Sequence, residues 1–378
     1  MKDVYVTACG ADLPNEALRN DEIEEVLGIV KWPSPLRDRI LESNRITSRY
    51  YAIDPETGEC THSNAELTAN AIADLSNDGA RLDELQSLVC GTATPDQLMP
   101  GHALMAQGEL GITGISAIST AGICLSGVAA LELAWMQVAT GRYDNAVATG
   151  SDIYSHMLRA PSMMPEARTR EIDPELGLAI GFERDFLRWM LSDGAGALWL
   201  ADRPREDGLS LRIDWLEIAS YAGEMPVCMH RGLKVEGDAM TGWEQVPAAE
   251  RDRLGVMSIE QNVRLLNKNI VPFCAKPLPG LIDKYGLEAD DIDFLLPHYS
   301  SGFFAEKSAD AFREAGLDIA PEKWFTNLSY KGNTGAASMF IMLDELYHSG
   351  RLKHGDTILC MIPESGRFSV GYVHLTVV

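Results

Sequence analysis

The chain has 378 residues, 46% of them hydrophobic and 23% charged, values that suit one large or two ordinary folded domains and exclude a disordered chain. Its formal net charge of −23 disfavours nucleic acid and anionic membrane surfaces as partners. No apolar run reaches the about 18 residues that a membrane-spanning helix needs, and the opening Met1-Lys2-Asp3-Val4-Tyr5-Val6 reads as a strand and not as a signal peptide, so a cytoplasmic protein is expected.

Apolar strand-like runs occur in the first half at 4–8, 87–91, 117–119, 145–149 and 196–201. The second half offers 211–218, 292–297, 324–327, 357–362 and 368–377. Between them, 127–140 and 336–348 carry apolar residues at the spacing of largely buried helices. Strands alternating with helices predict βαβ units, with helices covering the faces of mixed, mostly parallel sheets. The two halves also resemble each other. The step from Gly91 to Cys124 is about as long as that from His298 to Asn333, and each half ends in a small-residue turn followed by a strand: Asp193-Gly194-Ala195-Gly196-Ala197, then Ser365-Gly366-Arg367-Phe368-Ser369. Two similar halves, 1–203 and 204–378, are therefore expected. A polar stretch at 224–264, with Gly232, Gly237, Gly242 and Trp243, reads as an insertion covering a substrate entrance.

The seven cysteines (Cys9, Cys60, Cys90, Cys124, Cys228, Cys274 and Cys360) show no Cys-x-x-Cys spacing, which fits reduced thiols better than a disulfide framework or a zinc site. The eight histidines form no His-x-x-x-His pair, so no metal and no other cofactor is expected. Cys124 stands apart. It lies in Gly122-Ile123-Cys124-Leu125-Ser126-Gly127, a small-residue turn between a short strand and a long helix. Buried cysteines are usually inert, but at a helix N-terminus unpaired N–H groups and the dipole favour thiolate over thiol, which makes a nucleophile. The spacing lacks the second glycine of an α/β-hydrolase nucleophile elbow.

His298 follows the apolar Asp293-Phe294-Leu295-Leu296-Pro297, at the strand end where open α/β sheets bind ligands. Asn333 sits between Gly332 and Thr334 at the start of a helix, where the commoner reading is a simple turn. Together the three fit one chemistry. A thiolate takes an acyl group from a thioester. A second substrate then becomes a carbanion, by loss of a carboxyl group or a proton, and its charge falls on the thioester oxygen. Neutral donors, an imidazole N–H and a carboxamide, can stabilise that oxygen, each worth roughly 3 kcal/mol. The acyl-cysteine carbonyl needs its own oxyanion hole, for which the backbone N–H groups of Cys124 and Gly366 are candidates. Glu364, beside that turn, is a candidate acid/base for removing an α-proton. The basic segment Lys31, Arg37, Arg39, Arg45 and Arg49 offers a docking patch for an acidic carrier protein, with Trp32 and Arg45 as candidate contacts to the thioester or its carrier.

These residues resemble the thiolase-fold ketosynthases, specifically the β-ketoacyl-(acyl carrier protein) synthase III branch. The likeness rests on Leu13-Pro14-Asn15, the Cys124 turn, Thr149-Gly150-Ser151-Asp152, Asp193-Gly194-Ala195-Gly196-Ala197, Pro297-His298 and Gly332-Asn333-Thr334. It implies a Cys-His-Asn triad at Cys124, His298 and Asn333, and a homodimer of five-layered αβαβα monomers built by duplication. It also implies acyl-coenzyme A or acyl carrier protein thioesters as substrates. Two departures stand out: His298 is followed by Tyr299-Ser300-Ser301, and the expected glycine-rich loop is Pro363-Glu364-Ser365-Gly366-Arg367-Phe368. With Arg49-Tyr50-Tyr51-Ala52-Ile53-Asp54 and the stretch from Phe182 to Asp193, these look most like the dialkylresorcinol and cyclohexanedione-forming subgroup. Its members join two acyl thioesters by ping-pong Claisen condensation and pass a ring to a separate aromatase. The alternatives are priming of fatty-acid or polyketide synthesis with malonyl carrier protein, acyl transfer without condensation, and a non-catalytic partner subunit.

Overall fold

The computed structural model describes residues 1–30, 36–163, 186–237, 239–252 and 254–378. Nine strands form its main sheet: β1 (Tyr5–Asp12), β2 (Ser87–Thr92), β3 (Ser116–Ala121), β4 (Asn145–Asp152), β5 (Gly194–Ala201), β6 (Leu211–Ser220), β7 (Phe294–Pro297), β8 (Thr357–Glu364) and β9 (Ser369–Val377). Their spatial order is β7-β8-β9-β6-β1-β5-β4-β2-β3. The first half runs outward from β1 through two antiparallel neighbours, β5 and β4, to the parallel β2 and β3. The second half repeats the scheme from β6 through the antiparallel β9 and β8 to the parallel β7. The strand expected at 324–327 is reduced to a single parallel bridge between Leu295 and Trp324.

Two features differ from the sequence expectation. The halves share one continuous sheet, because β1 pairs with β6 through Tyr5–Arg212 and Val6–Leu211. The sheet is mixed, but antiparallel neighbours fill its middle and parallel ones its two ends. The tight turn between β8 and β9 explains part of this, since a hairpin forces antiparallel pairing while parallel neighbours need a crossover.

Helices cover both sides of each half. α1 (Asn64–Asp74) and α2 (His102–Leu110) pack on the outer face of the first half. A capping box starts α1, with Ser63 accepting from the Glu66 N–H and Glu66 from the Ser63 N–H. α3 (Ser126–Ala139) and α7 (Ser338–His348) lie between the halves. One core joins their Leu131, Ala134, Leu343 and Leu346 to Leu198 and Leu200 of the first half and Ile358 and Val373 of the second. On the far face sit α4 (Val263–Ala275), α5 (Leu278–Tyr285) and α6 (Ala305–Glu314), where Leu278, Leu281 and Phe312 pack on Leu359, Met361 and Tyr372. The layers therefore run helix, sheet, helix, sheet, helix. The stretch 224–264 carries a small hairpin, Leu233–Glu236 with Ala239–Gly242, and the pair Met229–His230 with Glu260–Gln261.

At the centre of the sheet, β6 touches both ends of the chain. The Ile213 N–H donates to the Val4 carbonyl, and Ser210 and Val378 exchange backbone hydrogen bonds of 3.0 and 2.9 Å. Cys124, Asp152, His298 and Glu364 all lie at the opposite ends of their strands.

Candidate active site

Cys124 and His298 each stand just beyond a strand end. Cys124 follows β3 and precedes α3, and the close contact of α3 with the sheet fixes it there. A Cβ on Gly91 of β2 would lie 2.2 Å from the Ser126 carbonyl oxygen, so only glycine lets the first turn of α3 sit this close. His298 follows β7, and its N–H donates to the Met361 carbonyl of β8 at 2.8 Å. Asn333 precedes α7 and is stitched to the first half: its N–H donates to the Met190 carbonyl at 3.1 Å, and its carbonyl accepts from the Ser192 N–H at 2.8 Å.

Cys124 and His298 line one narrow cavity of about 30 Å³. Its other walls are Leu266, Ile270, Val271 and Cys274 of α4, Phe304 and Ser308 beside and on α6, and Tyr299, Ser300, Met361, Pro363 and Ser365. Leu266, Ile270 and Cys274 recur every four residues, which places them on one helix face. Helix α4 owes its start to Asn262, whose side chain accepts from the Leu265 N–H. No lysine or arginine is among the described residues lining this cavity.

Cys124 is 8% exposed and His298 4%. Burial pulls the His298 imidazole down to about 4, so it is neutral at physiological pH and presents one N–H donor. Asn333, 2% exposed, does not line the cavity. Its Oδ1 accepts from the Gly335 N–H at 3.0 Å, which leaves the Nδ2 hydrogens as its free donors. The next link is Asp152. Its Oδ2 accepts from the Ala336 N–H at 2.7 Å and the Tyr154 hydroxyl at 2.9 Å, while Oδ1 accepts from Thr92, Ala93 and Thr94. Burial raises the Asp152 carboxyl to about 6 despite these donors, and its charge reaches Cys124.

One expectation fails here. The helix N-terminus was expected to favour a Cys124 thiolate, but burial pushes the thiol well up, and the carboxylates of Glu364 and Asp152 add to the rise. The physical reason is local. Glu364 Oε2 accepts the Ile123 N–H at 2.9 Å and the Leu125 N–H at 3.1 Å, so the amides on either side of the sulfur are already taken by an anion. The Cys124 N–H still favours the thiolate, but it is the weakest of the influences. Glu364 itself lies outside the cavity lining, between Pro363 and Ser365, which belong to it; successive strand residues face opposite sides.

The Gly366 turn packs on the Cys124 turn, since a Cβ at Gly366 would lie 3.1 Å from Ile123 Cδ1. Its carbonyl accepts from the Cys228 N–H at 2.8 Å, while the Gly366 N–H has no partner among the described residues. Phe368 closes the turn with φ +59, a conformation uncommon for a bulky residue; its fully buried ring packs 5.6 Å from that of Phe273.

The expected basic patch divides. Lys31 and Trp32 lie outside the described residues, as do the first residues of the stretch from Phe182. Arg37 pairs with Glu24 at 2.8 Å, and Arg45, exposed and not among the residues lining the cavity, pairs with Glu306 at 2.9 Å. Arg49 is fully buried and donates to the Trp189 carbonyl and Asn20 Oδ1 at 2.6 and 2.5 Å, so it belongs to the core and not to a docking surface. Arg39 lines a second cavity with Leu36, Ile40, Phe186, Val263 and Phe303. Among the described residues no helix is long and apolar enough to cross a membrane, and no cluster of three potential metal ligands occurs.

Comparison with known proteins finds relatives along nearly the whole chain. The family pattern for the C-terminal part of 3-oxoacyl-[acyl-carrier-protein] synthase III matches residues 282–372. A β-ketoacyl-[acyl-carrier-protein] synthase III of Symbiobacterium thermophilum is 24% identical over 366 residues, covering 96% of this chain and 94% of that one. The corresponding protein of Bradyrhizobium sp. is 27% identical over 354 residues, covering 94% and 93%. Among solved structures, the tetronic acid condensing enzyme AbyA1 superposes with a TM-score of 0.77 at 20% identity, covering 99% of both chains. The synthase III FabH of Pseudomonas aeruginosa PAO1 gives 0.73 at 20% identity, covering 100% of this chain and 99% of that one. The architecture is the thiolase fold. Within it the chain is similar to the β-ketoacyl-[acyl-carrier-protein] synthase III enzymes, by the match over residues 282–372 and by relatives that span nearly its whole length.

Proposed function

We propose that the protein joins two acyl thioesters by ping-pong Claisen condensation through an acyl-Cys124 intermediate. The observation that carries this reading is the shared cavity in which Cys124 faces a neutral His298 within apolar walls. In the first half-reaction the Cys124 sulfur attacks the thioester carbonyl; a new carbon–sulfur bond forms, the bond to the carrier sulfur breaks, and the proton of the Cys124 thiol ends on the departing carrier thiol. The N–H groups of Cys124 and Gly366 are the donors for the oxyanion formed there. In the second, the α-carbon of another thioester, made a carbanion by loss of carbon dioxide or of a proton, attacks the acyl-Cys124 carbonyl; a carbon–carbon bond forms, the carbon–sulfur bond breaks, and the Cys124 thiolate that leaves takes up a proton. The imidazole N–H of His298 and the carboxamide of Asn333 stabilise the enolate oxygen of that second thioester. A neutral imidazole suits this task, since a charged one would be costly to hold against an acyl chain.

The Pro363–Phe368 turn and the Tyr299-Ser300-Ser301 sequence favour a dialkylresorcinol or cyclohexanedione product, with an aromatase acting next. The synthase III relatives favour the second reading, priming with acyl-coenzyme A and malonyl carrier protein. A homodimer fits the half-exposed edge strand β3 and the neighbouring Leu98 and Met99, 65% and 85% exposed. Arg45, together with Trp32, remains the proposed contact to the carrier.

Incubation with acyl-coenzyme A followed by intact-mass measurement tests the core of the proposal, because a non-catalytic subunit gains no adduct at Cys124. Feeding defined thioester pairs and weighing the products then separates the two readings. A β-keto product formed only with malonyl carrier protein selects priming.

A further inference from the structure

Glu364 lies 239 and 241 residues along the chain from the two amides it binds, so its contact with the Cys124 turn is created by the fold. The carboxylate is nearly buried, and burial raises its own proton affinity while the two amides lower it. It reaches the turn from the side of β8 opposite the cavity, since Pro363 and Ser365 line that cavity and Glu364 does not. The space is tight: a Cβ on Gly122 would lie 3.2 Å from Glu364 Oε2, and one on Gly366 3.4 Å from Oε1. A helix of fourteen residues begins at Ser126, and free N–H groups at such an end ordinarily stabilise a nearby anion. Here they face an anion already.

We infer that Glu364 is a positioning residue for the nucleophile: by accepting the Ile123 and Leu125 N–H groups it fixes the turn carrying Cys124 and withholds those amides from a resting thiolate. This rests on the reading of Cys124 as the nucleophile. The groups facing the sulfur agree with it. Asp152, from β4, and Glu364, from β8, both disfavour a second negative charge there. Tyr154 presents a neutral hydroxyl whose proton is held on Asp152. His298, across the cavity, is neutral, and Cys274 on α4 is itself a buried thiol pushed up to about 12. No described side chain of the cavity lining supplies a positive charge. The resting enzyme thus carries a protonated, weakly reactive Cys124 in a rigid turn, with the Cys124 N–H left for the substrate carbonyl.

The test is the pH profile of Cys124 alkylation by iodoacetamide, resolved peptide by peptide in the full chain. Glu364→Gln keeps an acceptor for the amides and removes the charge; Glu364→Ala removes both. The midpoint should fall by about one unit in Glu364→Gln, which is about tenfold faster labelling at neutral pH, and further in Glu364→Ala. Should Glu364→Ala fail to fold, the isosteric Gln variant decides alone. A Glu364→Gln profile that superimposes on the wild type overturns the assignment. So does loss of condensation with an unchanged alkylation profile, which would make Glu364 the acceptor of the α-proton instead. An acyl adduct at Cys124 together with an unchanged profile removes only the role of Glu364, whereas no adduct on the wild type removes the nucleophile itself.

Discussion

Asp152 accepts a 2.7 Å hydrogen bond from the Ala336 N–H, which ties the end of β4 in the first half to the turn carrying Asn333 in the second. The carboxylate is buried, and five donors from three segments converge on it. Such a group holds two distant stretches of chain in one place, because leaving any of its donors unpaired in the interior costs about 1–3 kcal/mol.

Gly335 is where this junction should be most sensitive. It has φ +58, and a Cβ there would lie 2.2 Å from Asp152 Oδ2 and 2.4 Å from the Tyr154 hydroxyl. Gly335→Ala must displace backbone or carboxylate, at a cost of about 1–3 kcal/mol from strain and overpacking. Urea unfolding should show a lowered midpoint, and acylated enzyme should condense poorly because Asn333 has moved.

Replacement of Cys124 by alanine removes the proposed nucleophile. Intact-mass measurement after incubation with acyl-coenzyme A should show the adduct in the wild type and none in Cys124→Ala, with the far-ultraviolet circular dichroism of the two superimposed.

His298→Ala and Asn333→Ala should separate the half-reactions. Each removes a donor proposed to act on the second substrate, so the acyl adduct should still form while condensation falls roughly 10²–10³-fold. Single-turnover assays starting from preformed acyl-enzyme measure this directly. Equal losses in both half-reactions would show that these side chains do not act on the enolate.

The same histidine predicts a pH effect on stability. Its folded value, about 4, lies below the ordinary 6.5, so the unfolded chain takes up a proton over that interval and the folded chain does not. Its contribution is therefore fully present above about pH 6.5 and is lost as pH falls towards 4. Between pH 7 and pH 5, the urea midpoint of the wild type should drop further than that of His298→Gln.

Much of the fold was legible because buried strands in such an architecture are written as short apolar runs between small-residue turns. The runs near 87–91 and 145–149 became β2 and β4 with ends shifted by a few residues. The run at 324–327 did not become a strand, since Trp324 and Phe325 reach Leu295 through one bridge and one hydrogen bond before the chain turns away. The Cys124 turn and the His298 strand end were legible for the same reason: local spacing marks where a strand stops. Charge was the poor guide. Arg49 reads as one more basic residue in a surface segment, yet it is fully buried against the Trp189 carbonyl. The protonated state of Cys124 was hidden too, because the carboxylate that occupies its neighbouring amides comes from the far end of the chain. Asp152 appeared only as the last residue of a small-residue motif; nothing local announces that five donors will meet there.

The backbone hydrogen bonds of Ile213 with Val4 and of Ser210 with Val378 have a practical consequence. Both tails emerge side by side, on the edge of the molecule remote from the nucleophile. A purification handle or a tethered carrier domain appended to either tail would leave the catalytic mouth unobstructed, and a short peptide bridging the tails would permit new openings elsewhere without disturbing the chemistry.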